Sequence, residues 1–467
     1  MEQLSEAMLA RVLRHLDVRD LLACRLVSKR LGAAALHPDA WSHRELVGDR
    51  PCVCAVLLLA PCLAKLVYHN HRVFHRRAFL RTRCAVAELA LVLHQPDGHH
   101  TVEAAVVLRK QESLGRLRRL ELCNFFRSTG NEVLVRTVRA ATAALDALVV
   151  MGGVPSAAGN VQYELPEPGL RRFTFTRGAS LVDHCTEPFV NAVLASHGAT
   201  LEEVHLGPGP LSPASDTMAA LLAGAPRLRA LTCEMLPGLQ AVSAACPALS
   251  ELVLHAYPSA PYKDALRFLR GCKRLRKVSL KYTYFDLGDS DDSDGGDDIF
   301  PDYGTDMVEA LAPSSAIIEL LSVSGLYLPC PVLELLPPMP ALRQLEVLEE
   351  PLNDELLLDV TPARAPALRS LRLSTDWKQC GHAWLHKDAL RTALAANPSL
   401  HVQLKGPIDC PFAECEPCAV LGCHREVGWY AVDQLGVFSH PPGECPAPEH
   451  HPVDVPWPWL HIPCNAE

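Results

Sequence analysis

The sequence has few of the signatures that mark an enzyme, a membrane protein or a secreted protein. It contains no GxSxG nucleophile motif, no glycine-rich phosphate loop and no HExxH pair of metal-binding histidines. Its longest uncharged apolar run, Cys52 to Ala64, is interrupted by Pro61 and is shorter than the roughly 20 residues that a membrane-spanning helix needs. Glu2 and Glu6 lie where a signal peptide would carry a basic patch and then an apolar stretch. We therefore expect a protein without catalytic activity or a membrane partner, located in the cytoplasm, the nucleus or both.

Disulfide bonds are also not expected, although the chain has 18 cysteines. Most of them lie singly within apolar segments, as Cys233, Cys246 and Cys272 do, and this placement is typical of small buried hydrophobic residues. Hydrophobic residues make up 49% of the 467 residues and charged residues 21%. A chain of this length and composition can bury a large core in more than one folded unit.

The N-terminal residues carry apolar side chains at helical spacing. Positions 9, 12, 13 and 16 follow the i, i+3, i+4, i+7 pattern of one helix face, and Ser5 precedes them as a candidate N-cap. We predict a helix over residues 5–16. Asp17 and Asp20 predict the start of a second helix, because carboxylates there satisfy free backbone N–H groups and face the positive end of the helix dipole. A third helix is predicted to stop at His37-Pro38, since the residue before a proline disfavours the helical conformation.

These helices supply more aliphatic side chains than a core of about 40 residues can bury, so we expect part of their surface to meet a partner. The segment resembles the F-box, through which substrate adaptors bind the Skp-type linker of cullin-RING ubiquitin ligases. The resemblance is carried by Leu4, Leu9, Leu13, Leu16, Asp20-Leu21-Leu22, Cys24, Val27, His37-Pro38-Asp39 and Trp41. The chain departs from the family pattern at Ser5, where the family usually has proline, and at Leu31, where it usually has tryptophan.

The resemblance implies a Skp-family linker as a partner and, through it, cullin and RING subunits. The residues implied in linker binding are Leu4, Leu9, Val12, Leu13, Leu16, Leu21, Leu22, Val27 and Trp41. An ordinary helical cap for the domain that follows is the alternative interpretation of this segment.

A short phrase recurs from about residue 60 onward, with aliphatic residues in an LxxLxL arrangement that forms the core of a leucine-rich repeat. The clear copies are Leu117/Leu120/Leu122, Leu228/Leu231/Cys233, Leu249/Leu252/Leu254, Leu275/Val278/Leu280, Leu342/Leu345/Val347 and Leu368/Leu371/Leu373. The degenerate copies are Leu63/Leu66/Tyr68, Val86/Leu89/Leu91, Leu145/Leu148/Val150, Leu170/Phe173/Phe175, Leu201/Val204/Leu206 and Ile318/Leu321/Val323, with a further one around Leu400 to Leu404. Successive copies from Leu63 to Leu368 begin 21 to 31 residues apart, except for one interval of 43.

A helical stretch precedes many copies, for instance residues 216–224 ahead of Leu228. Each unit is therefore predicted to be a helix, a turn and a short strand, and the units must stack because none covers its own apolar side. We predict an α/β fold in which a three-helix F-box at residues 1–50 precedes a leucine-rich-repeat solenoid at residues 51–405. The solenoid is expected to have a curved parallel sheet inside and helices outside. A helical repeat array and a doubly wound α/β domain are the alternatives.

The order of the two parts resembles the F-box/leucine-rich-repeat adaptors, whose solenoid captures a protein substrate, and the resemblance covers about residues 4–405. The variable strand positions are predicted to face outward. The candidates for substrate binding are Arg119, Glu121, Arg172, Thr174, His205 and Lys277, and equivalent positions hold Glu203, Glu251, Ser279 and Arg372. Plain solvation of a polar face is the alternative for each of them.

Two charged stretches interrupt the repeats. The 43-residue interval contains an acidic, glycine-rich run, which predicts a disordered surface loop over about residues 286–302. A calcium-binding EF-hand loop is excluded there, because its first and last ligand positions would hold Ser290 and Pro301. The basic stretch from His69 to Arg83 has few aromatic residues and no recognised motif, so a nucleic-acid partner is not predicted.

Residues 406–467 form a tail rich in cysteine and proline. Cys415 and Cys418 have the C-x2-C spacing of a zinc knuckle. The remaining candidate ligands are Cys410, Cys423, His424, Cys445 and Cys464. No two of them have the spacing of a second zinc-knuckle pair. Two interpretations stay open: Cys415 and Cys418 hold zinc, or the cysteines are reduced thiols in a loosely ordered tail. No other cofactor is expected.

We interpret the chain as the substrate-recognition adaptor of an SCF-type ubiquitin ligase. Such an adaptor acts by proximity, because it holds a substrate near the charged ubiquitin-conjugating enzyme and raises the effective concentration of its lysines. A leucine-rich-repeat scaffold unrelated to ubiquitin is the second interpretation, and a zinc hydrolase that uses the tail is the third.

Overall fold

The computed structural model describes residues 4–48, 52–69, 76–93, 98–123, 131–152, 168–176, 186–207, 216–257, 261–282, 303–326, 328–348, 354–374, 387–405, 434–441, 444–445 and 459–462. The chain divides into two compact units, Met1–Leu228 and Arg229–Glu467. The predicted acidic loop at residues 286–302 lies outside the described residues. Within the described ranges, we find no helix with the length and apolar composition that crossing a bilayer requires.

Short helices open the described part of the first unit. They are α1 Glu6–Leu13, α2 Val18–Val27, α3 Lys29–Ala35 and α4 Pro38–Trp41. The Ser5 hydroxyl accepts a hydrogen bond from the Met8 N–H at 3.3 Å, and the Asp17 carboxylate accepts one from the Asp20 N–H at 2.7 Å. These bonds confirm the predicted starts of the first two helices, since each satisfies an N–H group that the helix itself leaves without an acceptor.

Two helix ends differ from the prediction. The first helix ends at Leu13 and not at residue 16, because the N–H groups of His15 and Leu16 bond three residues back and the chain is then extended at Asp17, which caps α2. The third helix ends at Ala35, before the His37-Pro38 pair. That pair starts α4 instead, with His37 as its N-cap, because proline lacks an N–H group and fits the first turn of a helix.

The rest of the first unit alternates strands with helices. Its strands are β1 Glu45–Val47, β2 Cys62–His69, β3 Ala85–Val92, β4 Arg119–Cys123, β5 Ala147–Met151, β6 Arg172–Thr176 and β7 Glu203–Leu206. Its helices are α5 Val53–Leu59, α6 Arg76–Arg81, α7 Gly98–Ser113, α8 Asn131–Ala141, α9 Thr186–His197 and α10 Asp216–Ala223, with a 3-10 turn at Thr142–Ala144. The strands pair in parallel and in chain order.

The second unit continues the same pattern. Its strands are β8 Ala230–Glu234, β9 Glu251–Ala256, β10 Lys277–Tyr282, β11 Leu320–Ser324, β12 Gln344–Leu348, β13 Ser370–Ser374, β14 His401–Lys405, β15 Gln434–Phe438 and β16 Trp459–His461. Its helices are α11 Gln240–Ala245, α12 Tyr262–Gly271, α13 Tyr303–Glu309, α14 Asp354–Asp359 and α15 Asp388–Ala396, with a 3-10 helix at Ala312–Ile317. Strands β8 to β14 are parallel, β15 runs antiparallel to β14, and β16 is parallel to β15.

Every predicted repeat phrase ends in a strand, and each unit shows the predicted stack of parallel strands with helices between them. The aliphatic residues of the phrases are all buried, with exposed fractions of 0–5%. They also stack in register, so that Leu120 pairs with Leu148, and Leu122 with Val150, across β4 and β5. Stacking of this kind gives each repeat the apolar contacts that it cannot make alone.

One repeat lacks the helix that was predicted for each unit. Between β11 and β12, the described residues of the range 325–343 form turns and no α-helix. This range has prolines at positions 329, 331, 337, 338 and 340, and each of them removes a backbone N–H donor and restricts the residue before it. The chain therefore connects β11 to β12 through turns, without an α-helix in the described residues.

Buried amide side chains form hydrogen bonds between neighbouring repeats. They do so although the sequence has no asparagine at a regular position after each strand. Gln111 of α7 donates to the Cys84 carbonyl at 3.1 Å and accepts from the Val86 N–H at 3.1 Å. In the second unit, Asn397 donates to the Val360 carbonyl at 2.8 Å. Both side chains satisfy backbone groups that would otherwise be buried without hydrogen bonds, so they fix the turns at which they lie.

Candidate functional site

The apolar residues implied in linker binding divide into a buried and an accessible set. Leu9, Leu13, Leu21 and Trp41 are 0–5% exposed and form the core of the N-terminal helices. The Trp41 indole N–H donates to the Ala35 carbonyl at 2.6 Å, which satisfies its polar atom inside this core. Side chains buried in this way hold the helices together and do not reach a partner.

Four large apolar side chains of the same helices are exposed instead. Val12 and Val27, both implied by the resemblance, are 57% and 70% exposed. Met8 and Leu26, which the sequence reasoning did not single out, are 58% and 79% exposed. The remaining residues of the implied set are partly exposed, and they are Leu4, Leu16 and Leu22. Accessible apolar side chains on α1 and at the end of α2 can contribute to binding by leaving water when a partner covers them.

Arg44 holds the first and fourth helices together. Its Nη2 atom donates to the carbonyls of Leu16 at 2.7 Å and Arg14 at 3.0 Å, and its Nε atom donates to the Ala40 carbonyl at 2.8 Å. The guanidinium also lies over the Trp41 ring, 5.8 Å from its centroid. A cation placed at the last carbonyls of α1 satisfies free acceptors and meets the negative end of the helix dipole. Sequence reasoning missed this role, because the Arg14 and Leu16 carbonyls lie 30 and 28 residues from Arg44 and belong to the backbone, which carries no side-chain signal.

The outward face of the first unit brings together five of the six predicted substrate-binding residues. Arg119 and Arg172 lie in one row across the strands, and Glu121, Thr174 and His205 lie in the next. The Glu121 carboxylate is 3.4 Å from the Lys65 ammonium, and the Arg119 guanidinium is 3.8 Å from the Glu88 carboxylate. Partly exposed ion pairs of this kind are weak, so their groups can exchange partners when a charged ligand approaches.

Lys277, the sixth residue, lies on the corresponding face of the second unit. Its ammonium is 2.7 Å from the Glu251 carboxylate. On the same face, Arg372 bonds to the Glu346 carboxylate at 2.8 Å and to the Gln403 side chain at 2.6 Å. The face is therefore polar and of mixed charge in the described part of this unit.

Ser279 is an exception to the predicted outward positions. It is 9% exposed, because its short side chain lies between Val253 and Ser322 in the same row of the sheet. It is therefore part of the packed surface and is not available to a ligand.

The predicted zinc ligands Cys415 and Cys418 lie outside the described residues, so their role stays a prediction. The structure brings together a different set of metal-binding groups at His401, His440 and Cys445. The sequence reasoning named Cys445 as a candidate but missed both histidines. The spacing of four residues between His440 and Cys445 was a signal that could have drawn attention to them.

Comparison with known proteins identifies the N-terminal part of the chain. The F-box domain family matches residues 1–43. No curated protein matches the chain. Among solved structures, the leucine-rich repeat-containing protein LegL7 from Legionella pneumophila is 13% identical to this chain, with a TM-score of 0.36 over 73% of this chain and 90% of that one.

Proposed function

We propose that this chain is a substrate-recognition adaptor of an SCF-type ubiquitin ligase. It carries an F-box domain at residues 1–43, and repeats of stacked strands follow in both units. F-box domains generally bind Skp-type linkers. The observation that carries the proposal is that this domain, although its core is packed, leaves four large apolar side chains exposed. We place the adaptor in the cytoplasm, the nucleus or both.

Docking is assigned to the exposed apolar side chains and not to the buried ones. Val12, Leu26, Val27 and Met8 would lose their exposed area to the linker, and each would contribute about 1–2 kcal/mol to binding. Leu9, Leu13, Leu21 and Trp41 act indirectly, because they keep α1 to α4 in the arrangement that presents this surface. Cullin and RING subunits would then join through the linker.

Substrate capture is assigned to the outward faces of the repeats. Their charged side chains are already held in rows by the sheet, so a polypeptide that binds them needs little reorganisation of the adaptor. The adaptor makes no covalent bond in this proposal. It raises the local concentration of substrate lysines near the conjugating enzyme, and the chemistry belongs to that enzyme.

The docking step is tested with the double variant Val12→Asp/Leu26→Asp. Two exposed positions are changed, so the fold should persist, while the loss of about 2–4 kcal/mol of apolar contact should lower linker affinity about 30- to 700-fold. The matched control is Val106→Asp/Leu358→Asp, since these residues are 47% and 50% exposed on helices elsewhere in the chain. Equal linker affinity of the two folded variants would contradict the proposed docking surface.

The capture step is tested by proximity labelling in cells under proteasome inhibition. Proteins labelled by both the intact chain and the Val12→Asp/Leu26→Asp variant, but ubiquitinated only with the intact chain, are the expected substrates. A repeat-face variant, Lys277→Glu/Arg372→Glu, should lose these proteins, whereas the helix variant Arg267→Glu/Arg270→Glu should retain them. Capture without any dependence of ubiquitination on the docking surface would favour the scaffold interpretation instead.

A further inference from the structure

Three metal-binding side chains meet in the last described part of the second unit. His401 on β14 is fully buried, His440 just after β15 is 7% exposed, and Cys445 is partly exposed. Potential ligand atoms of the three residues all lie within 4.8 Å of one another. His401 Nε2 and Cys445 Sγ are 3.3 Å apart.

Backbone carbonyls select one neutral tautomer of both imidazole rings. His401 Nδ1 is 3.1 Å from the Arg369 carbonyl oxygen, and His440 Nδ1 is 3.0 Å from the Pro398 carbonyl oxygen. A carbonyl oxygen can only accept a hydrogen bond, so Nδ1 of each ring carries the proton and Nε2 carries the lone pair. Histidines that bind metals in proteins are commonly oriented by such a bond from the second nitrogen.

The separation of His401 Nε2 and Cys445 Sγ suits a tetrahedral ion. With metal–nitrogen bonds of about 2.1 Å and a metal–sulfur bond of about 2.3 Å, a tetrahedral site places nitrogen and sulfur about 3.6 Å apart. The observed separation of 3.3 Å between His401 Nε2 and Cys445 Sγ is close to this value. Aromatic rings surround the group, with Trp459 at 5.8 Å from the His401 ring and Phe438 at 4.9 Å from the His440 ring. An apolar shell of this kind limits the access of water to a metal.

We propose that His401 Nε2, His440 Nε2 and Cys445 Sγ bind a zinc ion. One thiolate and two neutral imidazoles favour zinc over magnesium or calcium, which prefer oxygen ligands. The Cys445 thiol releases its proton to solvent as the sulfur–zinc bond forms, so binding is favoured as the pH rises. The ion would join β14, His440 after the end of β15, and Cys445. The proposal adds a metal site to the adaptor and does not depend on the identity of its substrate.

Metal analysis of the full-length chain, purified with the linker, reduced and without chelator, tests the proposal. We expect about one equivalent of zinc per chain. The variants Cys445→Ser and His440→Gln should each lower the zinc affinity at least about tenfold. Cys330→Ser is the matched control, because Cys330 is also a partly exposed thiol of the second unit, and it should keep the full zinc content.

X-ray absorption of the zinc-loaded wild-type protein gives a test that does not depend on the folding of any variant. Two imidazole nitrogens and at least one sulfur in the zinc coordination shell would support the assignment. Absence of zinc from the wild-type protein, copper in its place, or a shell made only of sulfur would overturn it. The proposal would also fail if Cys415→Ser/Cys418→Ser abolished zinc binding while Cys445→Ser retained it.

Discussion

Acid should destabilise the first unit through His197, which lies in the last turn of α9 and is 1% exposed. Its Nδ1 atom accepts hydrogen bonds from the backbone N–H groups of Gly169 at 3.2 Å and Leu170 at 3.5 Å. Its Nε2–H donates to the Thr142 hydroxyl at 3.0 Å, and that hydroxyl donates to the Arg139 carbonyl at 2.6 Å. The ring is therefore bound as a neutral imidazole, and burial lowers its pKa to about 4.

The sign and size of the effect follow from this pKa. In the unfolded chain the histidine has an ordinary pKa near 6.5, so below that pH the unfolded state binds a proton that the folded state does not. Stability is complete above the unfolded pKa and falls as the pH drops toward the folded one. At pH 5 the loss from this one group is about 2 kcal/mol relative to pH 7.5.

The assay compares wild type with His197→Gln, in which the new side chain still forms hydrogen bonds but does not titrate in this range. Urea unfolding at pH 7.5 and pH 5 would be followed by pulsed hydrogen exchange and mass spectrometry of peptides from residues 186–207, which report α9 itself. We expect the variant to be less stable than wild type at pH 7.5 but to lose about 2 kcal/mol less on acidification. His255 in the second unit, whose pKa burial also lowers to about 4, is an internal reference that the variant leaves unchanged. Equal acid losses for the α9 peptides in both proteins would refute the neutral, buried state of His197.

Three further outcomes are expected. Leu13→Ala should destabilise the N-terminal helices by about 2–5 kcal/mol, because it removes a buried core side chain, and thermal unfolding followed by circular dichroism would show whether it does. Deleting residues 288–298 should leave the melting temperature nearly unchanged if this acidic run buries nothing, and a large decrease would contradict the predicted loop. Cys84 and Cys272, whose thiol pKa values burial raises to about 12, should resist iodoacetamide at pH 8 until the chain is unfolded, and early labelling detected by mass spectrometry would contradict their burial.

The repeats could be predicted because each phrase indicates both where a strand lies and which of its side chains are buried. Leu120 and Leu122 are spaced for one face of a strand, and the same spacing recurs often enough to fix the register along the stack. The short strands β1, β15 and β16 carry no such phrase, and sequence reasoning missed all three. Their positions depend on pairing with neighbouring strands, for example β15 with β14, and this information is not local to their own residues.

The candidate sites were predicted less completely. The helical spacing identified Leu9 and Val12 together, but only the packed structure shows that one is 3% exposed and the other 57%. The metal-binding group could not be recognised from spacing, because His401 lies far from Cys445 in the sequence and reaches it through the antiparallel pairing of β14 and β15. Sequence patterns report which face of a helix or strand is apolar, whereas a site made by distant segments requires the fold.

The short strands β1, in the first unit, and β16, in the second unit, have a consequence for self-association. Both β1 and β16 are three residues long, and β15 reverses direction after seven parallel strands of the second unit. A long terminal strand would offer a row of unpaired N–H and C=O groups to another molecule, whereas a three-residue strand offers few. Truncation after residue 405 would replace this short terminus with the five-residue β14, whose Val402 and Leu404 are buried in the intact chain. We therefore expect the segment with β15 and β16, which carries no repeat phrase, to limit edge-to-edge association at this end of the second unit.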